Sequence, residues 1–326
     1  MPLTRPEIRL SQAGSTDETA EESYGAAKKM ISPSGYEKKT RGLADDSGPL
    51  KNPEEYNAIQ NLNEIPMWLA PCNFVAAVFQ IMQAVFIFVF SVRVDLKWCI
   101  YTFYPNPEND VYETDIYAVP DPERVACYTI TWFAGAVILM SGINHLCAVL
   151  PCFREKYEYF IERHQNPQRW IEFCFSCSLL RVHIAQIAGV TDVYTLVLSF
   201  FLTQSMILFG LLHERMNAKN RADGYVQDYS AFWMSCVMHL ASWAVIFAYF
   251  IEGIARVDNA LALGLVLTLF FLELTFPIIF VLQWCKIGRF EDFLVGEFVF
   301  CLLSFTTKTF IAWTTLIGAN AYARKG

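Results

Sequence analysis

From Met67 onward the chain is a succession of apolar runs about 20 residues long, each sufficient to cross a hydrocarbon core roughly 30 Å thick. Seven such runs predict seven transmembrane helices at approximately 67–92, 125–149, 168–190, 193–213, 230–252, 260–284 and 293–318. Only a short polar break at Thr191-Asp192 separates the third and fourth, which predicts a tight antiparallel pair. Residues 1–66 are polar, rich in Ser, Gly, Lys and Glu, and read as a disordered tail; residues 321–326 form a short second tail. The connection at 93–124 carries β-branched and aromatic runs, "WCIYTFY" and "DVYETDIYAV", around the turn-rich "PNPEN", which predicts a β-hairpin. The hairpin could serve as a cap or as a subunit contact. The expected class is an all-α seven-helix membrane bundle with one small hairpin between the first two helices.

Composition agrees with that pattern. With 54% hydrophobic and 17% charged residues the chain does not read as a soluble multidomain enzyme, and the spans leave no separate catalytic domain, so no enzymatic activity is expected. The net charge of −7 comes from the tail and the long loop, and no basic stripe follows a phosphate backbone, so nucleic acid is not an expected partner. Lys and Arg number 17 on the side of the N-terminal tail and 6 on the side of the long loop, and 9 against 6 without the tail. The positive-inside rule then places the N-terminus in the cytoplasm and the hairpin and C-terminus outside. Seven of the ten cysteines (Cys72, Cys127, Cys147, Cys174, Cys177, Cys236, Cys301) lie within apolar runs and read as small buried hydrophobes. Cys174 and Cys177 form a CxxC without a second ligand pair, so no metal site is expected.

Polar residues inside the spans carry the chemistry. Lys308 stands about 15 residues from one end of the last span and 10 from the other, where a charge costs roughly 2.5–3.5 kcal/mol. Glu297, Cys301, Ser304, Ala312 and Thr315 fall within about 40° of it on the helix, a small and polar stripe that should face the bundle interior. A lysine amine withheld from water is a nucleophile suited to condensing with an aldehyde, and the resulting cation would need a carboxylate. On the third span Arg169, Glu172 and Ser176 share one face, with His183 returning to it, and Arg169 and Glu172 could instead simply pair with each other. His145 on the second span, Glu273 on the sixth and His239 on the fifth are candidate proton carriers.

Seven spans, a lone lysine in the last with serine four residues earlier, and an R-x-x-E-x-x-x-S face on the third resemble the microbial-type retinal proteins. Within that group the inverted orientation with a cytoplasmic N-terminus, "RWIEF" at 169–173, "SFTTK" at 304–308 and the long loop after the first helix resemble the heliorhodopsins over about residues 67–320. The resemblance implies all-trans retinal on Lys308 as a protonated Schiff base, Glu172 as its counterion, Ser176 and Ser304 as hydrogen-bonding neighbours, and Phe276 beside Pro277 in the ring pocket. It implies His145 as the second-helix histidine, but a first-helix histidine has no match; "NFVAAVFQIMQ" offers Gln80 and Gln83. It also implies a homodimer in the bilayer.

The expected activity is therefore light sensing, with a slow photocycle and a signalling change of shape. Light-driven or light-gated proton transport through Glu273, His239 and Glu297 is the first alternative. A retinal-free receptor or transporter, in which Lys308 pairs with Glu297 or Glu273, is the second.

Overall fold

The computed structural model describes residues 61–94, 96–105, 120–256 and 260–323. Among them are eight α-helices, one 3-10 turn at Gly288–Glu291 and a two-stranded antiparallel sheet. The helices are α1 (Leu69–Ser91), α2 (Ile130–Val149), α3 (Pro151–Glu162), α4 (Pro167–Ile187), α5 (Val193–Asp223), α6 (Ser230–Arg256), α7 (Ala260–Trp284) and α8 (Phe293–Ala323); the strands are β1 (Lys97–Pro105) and β2 (Pro120–Thr129).

Six helices, α1, α2, α5, α6, α7 and α8, are long and apolar enough to cross a membrane, and the chain is an integral membrane protein. Their large side chains face outward, among them Phe79 and Phe86 on α1, Phe201 on α5, Trp233 on α6, Phe271 and Ile278 on α7 and Leu302 on α8. Exposed apolar surface on that scale suits lipid, not water. Helix α4, at the position of the third expected span, has the length but carries Arg169, Glu172 and Arg181.

Local chemistry sets the helix ends. Helix α3 opens on Pro151 and α4 on Pro167, where a missing N–H costs nothing. Asn166 caps α4 by accepting from the Arg169 N–H at 3.0 Å, and Asp192 caps α5 by accepting from the Thr195 N–H at 2.7 Å. Helix α5 stops at Gly224, whose φ of 78° is the left-handed conformation glycine adopts without strain. Helices α1 and α2 pack closely at Gly142, where a Cβ would lie 2.8 Å from Ile81 Cγ1.

The structure departs most from the sequence reading in three places. The second helix begins at Ile130, not 125, because residues 120–129 form β2, with Cys127 directly opposite Cys99 and joined to it in a disulfide. Cys127 is therefore a cross-link and not a buried hydrophobe. The predicted second strand, "DVYETDIYAV", lies outside the described residues. The fourth helix runs ten residues past its expected end, and the loop after α2 holds a helix, α3, that rests on Tyr157 and Ile161.

The hairpin is bulged between Ile100 and Tyr101 and docks on the α4–α5 turn, where the Tyr101 N–H donates to the Thr191 carbonyl at 2.9 Å. At the opposite end of the bundle residues 61–66, the described part of the expected tail, lie against α3. The Asn63 N–H donates to the Glu162 carbonyl at 2.8 Å, and Ile65 packs on Leu69, Tyr157 and Ile161.

Candidate functional site

Helices α2, α4 and α8 bring three side chains together in the bundle. Lys308, 2% exposed, places its Nζ 2.7 Å from Glu172 Oε1 and also donates to Ser141 Oγ. The Ser141 hydroxyl donates in turn to the same Glu172 oxygen at 2.7 Å. The Phe173 ring lies 5.0 Å from the ammonium. A charge-assisted pair with a bridging hydroxyl is what a buried ammonium needs to offset lost hydration. Lys308 therefore meets Glu172, not Glu297 or Glu273. The reach between them closes because Lys308 leans toward the start of α8.

Arg169 does not bond Glu172. Its Nη1 lies 2.5 Å from Glu297 Oε1 and its Nη2 lies 2.9 Å from Glu214 Oε2. Asn166 donates its Nδ2–H to Glu297 Oε2 at 2.8 Å and its backbone N–H to Glu214 Oε1 at 2.5 Å, while Gln283 Nε2 donates to Glu297 Oε1 at 3.1 Å. One guanidinium thus ties α4 to α5 and α8. The alternative of an Arg169–Glu172 pair is not made, because two longer-range carboxylates occupy both ends of the planar fork.

His145 is buried beside this system. Asn73 donates its Nδ2–H to the Leu69 carbonyl at 3.0 Å, which orients Asn73 Oδ1 toward His145 Nδ1 at 2.8 Å. His145 Nδ1 is then the protonated nitrogen, and Nε2 faces Cys301 Sγ at 3.7 Å. The first-helix partner of His145 is Asn73. Gln80 is buried elsewhere on α1, and Gln83 accepts from Trp313 Nε1 at 2.9 Å. A small polar cavity of about 60 Å³ joins Asn73, His145, Glu172, Arg169, Glu297 and Cys301.

Beside Lys308 a second cavity, of about 300 Å³, extends among α4, α5, α6, α7 and α8. Its walls are mainly apolar: Trp170, Phe173, Met206, Ile207, Phe232, Phe276, Pro277, Phe280 and Phe300, with Ser304 and Thr307 next to the lysine. Phe276 meets Phe173 edge-on at 6.0 Å. Gly210 leaves room for Trp170, since a Cβ there would fall 2.3 Å from its ring. Glu273 and His239 line this cavity too. Glu273 is ion-paired with Arg181 and accepts from Trp243 Nε1 at 3.0 Å. His239 Nε2 has no hydrogen-bond partner among the described residues. Ser176 is fully buried one turn beyond Glu172, without a partner for its hydroxyl among the described residues, and His183 bonds Thr315 at 2.8 Å.

Sequence reasoning missed Ser141, Asn73 and Glu214. For Ser141 a signal was present: in "SGINH" it stands four residues before His145, on the same face. Asn73 and Glu214 gave none beyond being polar in or near an apolar run.

A family model described as Heliorhodopsin matches residues 69–319. No curated protein matches. Among solved structures, a crystal structure of cyanorhodopsin from the cyanobacterium Tolypothrix sp. NIES-4075 is similar at 13% identity, covering 78% of this chain and 95% of that one with a TM-score of 0.49. That likeness carries no functional weight, whereas the family match runs through every helix that builds the two cavities: the chain belongs to the heliorhodopsin family.

Proposed function

We propose that the protein is a retinal-binding light sensor. The observation that carries this reading is the buried Lys308–Glu172 pair at the wall of a mainly apolar cavity of about 300 Å³. Pockets for small organic ligands begin at about that size, and a lining of aromatic rings with one reactive polar end suits a polyene aldehyde. Lys308 would hold all-trans retinal as a Schiff base within the aromatic lining, and the bound group would supply the light-absorbing polyene and a positive charge for Glu172 to balance.

The chain's own residues do the rest. Glu172 is the counterion at Lys308 Nζ, and Ser141 bridges the two. Ser304 and Ser176 flank them, and Phe276 closes the wall beside Pro277. The small polar cavity between Glu172 and His145 is where a proton leaving Lys308 Nζ would be held, with Asn73 fixing the ring. Helix α4 is the remaining span of a seven-helix bundle: its 21 residues cover about 31 Å, and its charges are met inside the protein. The N-terminus faces the cytoplasm and the hairpin faces the exterior. Two independent signs favour this orientation, the Lys and Arg bias and the Cys99–Cys127 disulfide, which belongs in an oxidising compartment.

The test is to purify the full chain with retinal. A visible band is expected, absent in Lys308→Ala, and shifted to longer wavelength in Glu172→Gln; a wild-type protein without a band, or a band that survives Lys308→Ala, rejects the reading. Proton transport is the second reading, favoured by two further carboxylates inside the bundle, the part-buried Glu273 toward the hairpin end and the buried Glu297 toward the other. Photocurrent under voltage clamp separates it from sensing.

A further inference from the structure

Four charged side chains line the 300 Å³ cavity: Lys308, Arg169, Arg181 and Glu273. The first two belong to the systems described above, and the last two do not. Arg181, 1% exposed, extends from α4 to pair with Glu273 of α7. Trp243 of α6 fixes both partners. Its Nε1–H donates to Glu273 Oε2 at 3.0 Å, and its ring lies 4.6 Å from the guanidinium carbon. Arg181 Nε and Nη1 have no partner among the described residues, so the cation is only partly satisfied by protein. A pair of this kind is seldom more stable than an apolar pair of the same volume, which would also suit the rest of this wall.

Its position separates it from the Schiff base end. Arg181 follows Glu172 by nine residues on one helix, about 13 Å along the axis. Resting on the reading of retinal at Lys308, we propose that Arg181 and Glu273 form a second electrostatic contact with the chromophore, a balanced pair of charges whose loss on either side changes its colour.

The physical basis is charge movement. Excitation of a protonated polyene Schiff base shifts positive charge away from the nitrogen and toward the far end. A cation against the distal part of the polyene therefore destabilises the excited state more than the ground state and raises the excitation energy, and an anion there lowers it. In a mainly apolar cavity wall such fields are weakly screened. While Arg181 and Glu273 remain paired their fields largely cancel, and removing either one uncovers the other.

The sign of the colour change is thus fixed by which partner is lost. A pair that only braces α4 against α7 would instead weaken the protein to a similar extent in both variants, without opposite colour changes. The experiment compares absorption spectra of the full-length, retinal-loaded protein and thermal unfolding of the retinal-free opsin. Glu273→Gln is expected to move the band to shorter wavelength and Arg181→Met to longer wavelength. The double variant Arg181→Met/Glu273→Gln and the charge-conserving Arg181→Lys should return close to the wild-type position. In the retinal-free opsin each charge-removing single variant should melt below wild type, and the double variant should recover.

If Arg181→Met does not fold, Arg181→Lys/Glu273→Gln, which again leaves one cation unpaired, must absorb at shorter wavelength than Arg181→Lys. Shifts of the same sign in the two charge-removing variants, or none between pH 6 and about 9, would overturn the proposal, whatever the melting temperatures. Failure of the underlying reading has a different signature, a wild-type protein with no visible band at all.

Discussion

Helices α4 and α7 line the same cavity on opposite plans. Helix α7 is the most apolar of the six candidate spans, yet only 17% of the residues in its apolar stretch are buried in the protein. Helix α4 is too polar to count among the six, yet 15 of its 21 residues are buried. In water the apolar helix would be the inner one. In lipid the apolar side chains gain nothing from turning inward, while every charge must find its partner inside the bundle, so polarity marks the core.

The sharpest break of that contrast is Arg169→Ala, which leaves Glu214 and Glu297 buried without their shared cation. It should destabilise the protein by about 3–5 kcal/mol in denaturant or thermal unfolding, more than any single change on the outer face of α7. A stability loss below that of an ordinary surface substitution would show that α4 is not held by its charges.

The polar logic continues into the turn that leads to α4. There Arg221 donates to His164 Nδ1 at 2.7 Å, and His164 Nε2–H donates to the Asn61 carbonyl at 3.0 Å, an arrangement that requires the neutral ring. Burial, and then the Arg221 charge, pull the His164 pKa from 6.5 down to about 4. Above pH 6.5 both folded and unfolded states hold it neutral and its contribution is complete. Between pH 6.5 and about 4 only the unfolded state takes the proton, so up to roughly 3 kcal/mol is lost as the pH falls. Unfolding free energies measured across that window should show the slope, and His164→Gln should flatten it.

Within the cavity, Gly210→Ala forces the Trp170 ring to shift and should cost about 1–3 kcal/mol, read by thermal unfolding alongside the position of the visible band. At the small end, Ile278→Leu on the lipid side of α7 should change stability by less than about 0.5 kcal/mol. A large loss there would mean that this face meets protein instead of lipid.

The same contrast explains what was legible beforehand. Lys308 and Glu172 stood out because charge is rare in an apolar run, and the rarity needed no alignment of helices to be seen. The six apolar helices were likewise plain from run length, and strand β1 from its β-branched and aromatic residues. Asn73 was invisible because an asparagine in a membrane helix can satisfy its own backbone, and it in fact also bonds the Leu69 carbonyl four residues back. Residues 125–129 read as helix because they are apolar enough to extend the second span, and only their pairing with residues 97–100, including the Cys99–Cys127 bond, makes them strand.

By itself the sequence determined that this is a membrane protein of long apolar helices with a single lysine at depth in the last one, because hydropathy and the cost of a buried charge are local properties of the chain. Only the tertiary structure decided partners: that Lys308 meets Glu172 with Ser141 bonded to both, that Arg169 turns to Glu214 and Glu297, and that Arg181 pairs with Glu273 at the cavity wall. Those choices depend on which helix faces lie opposite one another at which depth, and side-chain reach of a few ångströms is resolved only after the bundle has packed.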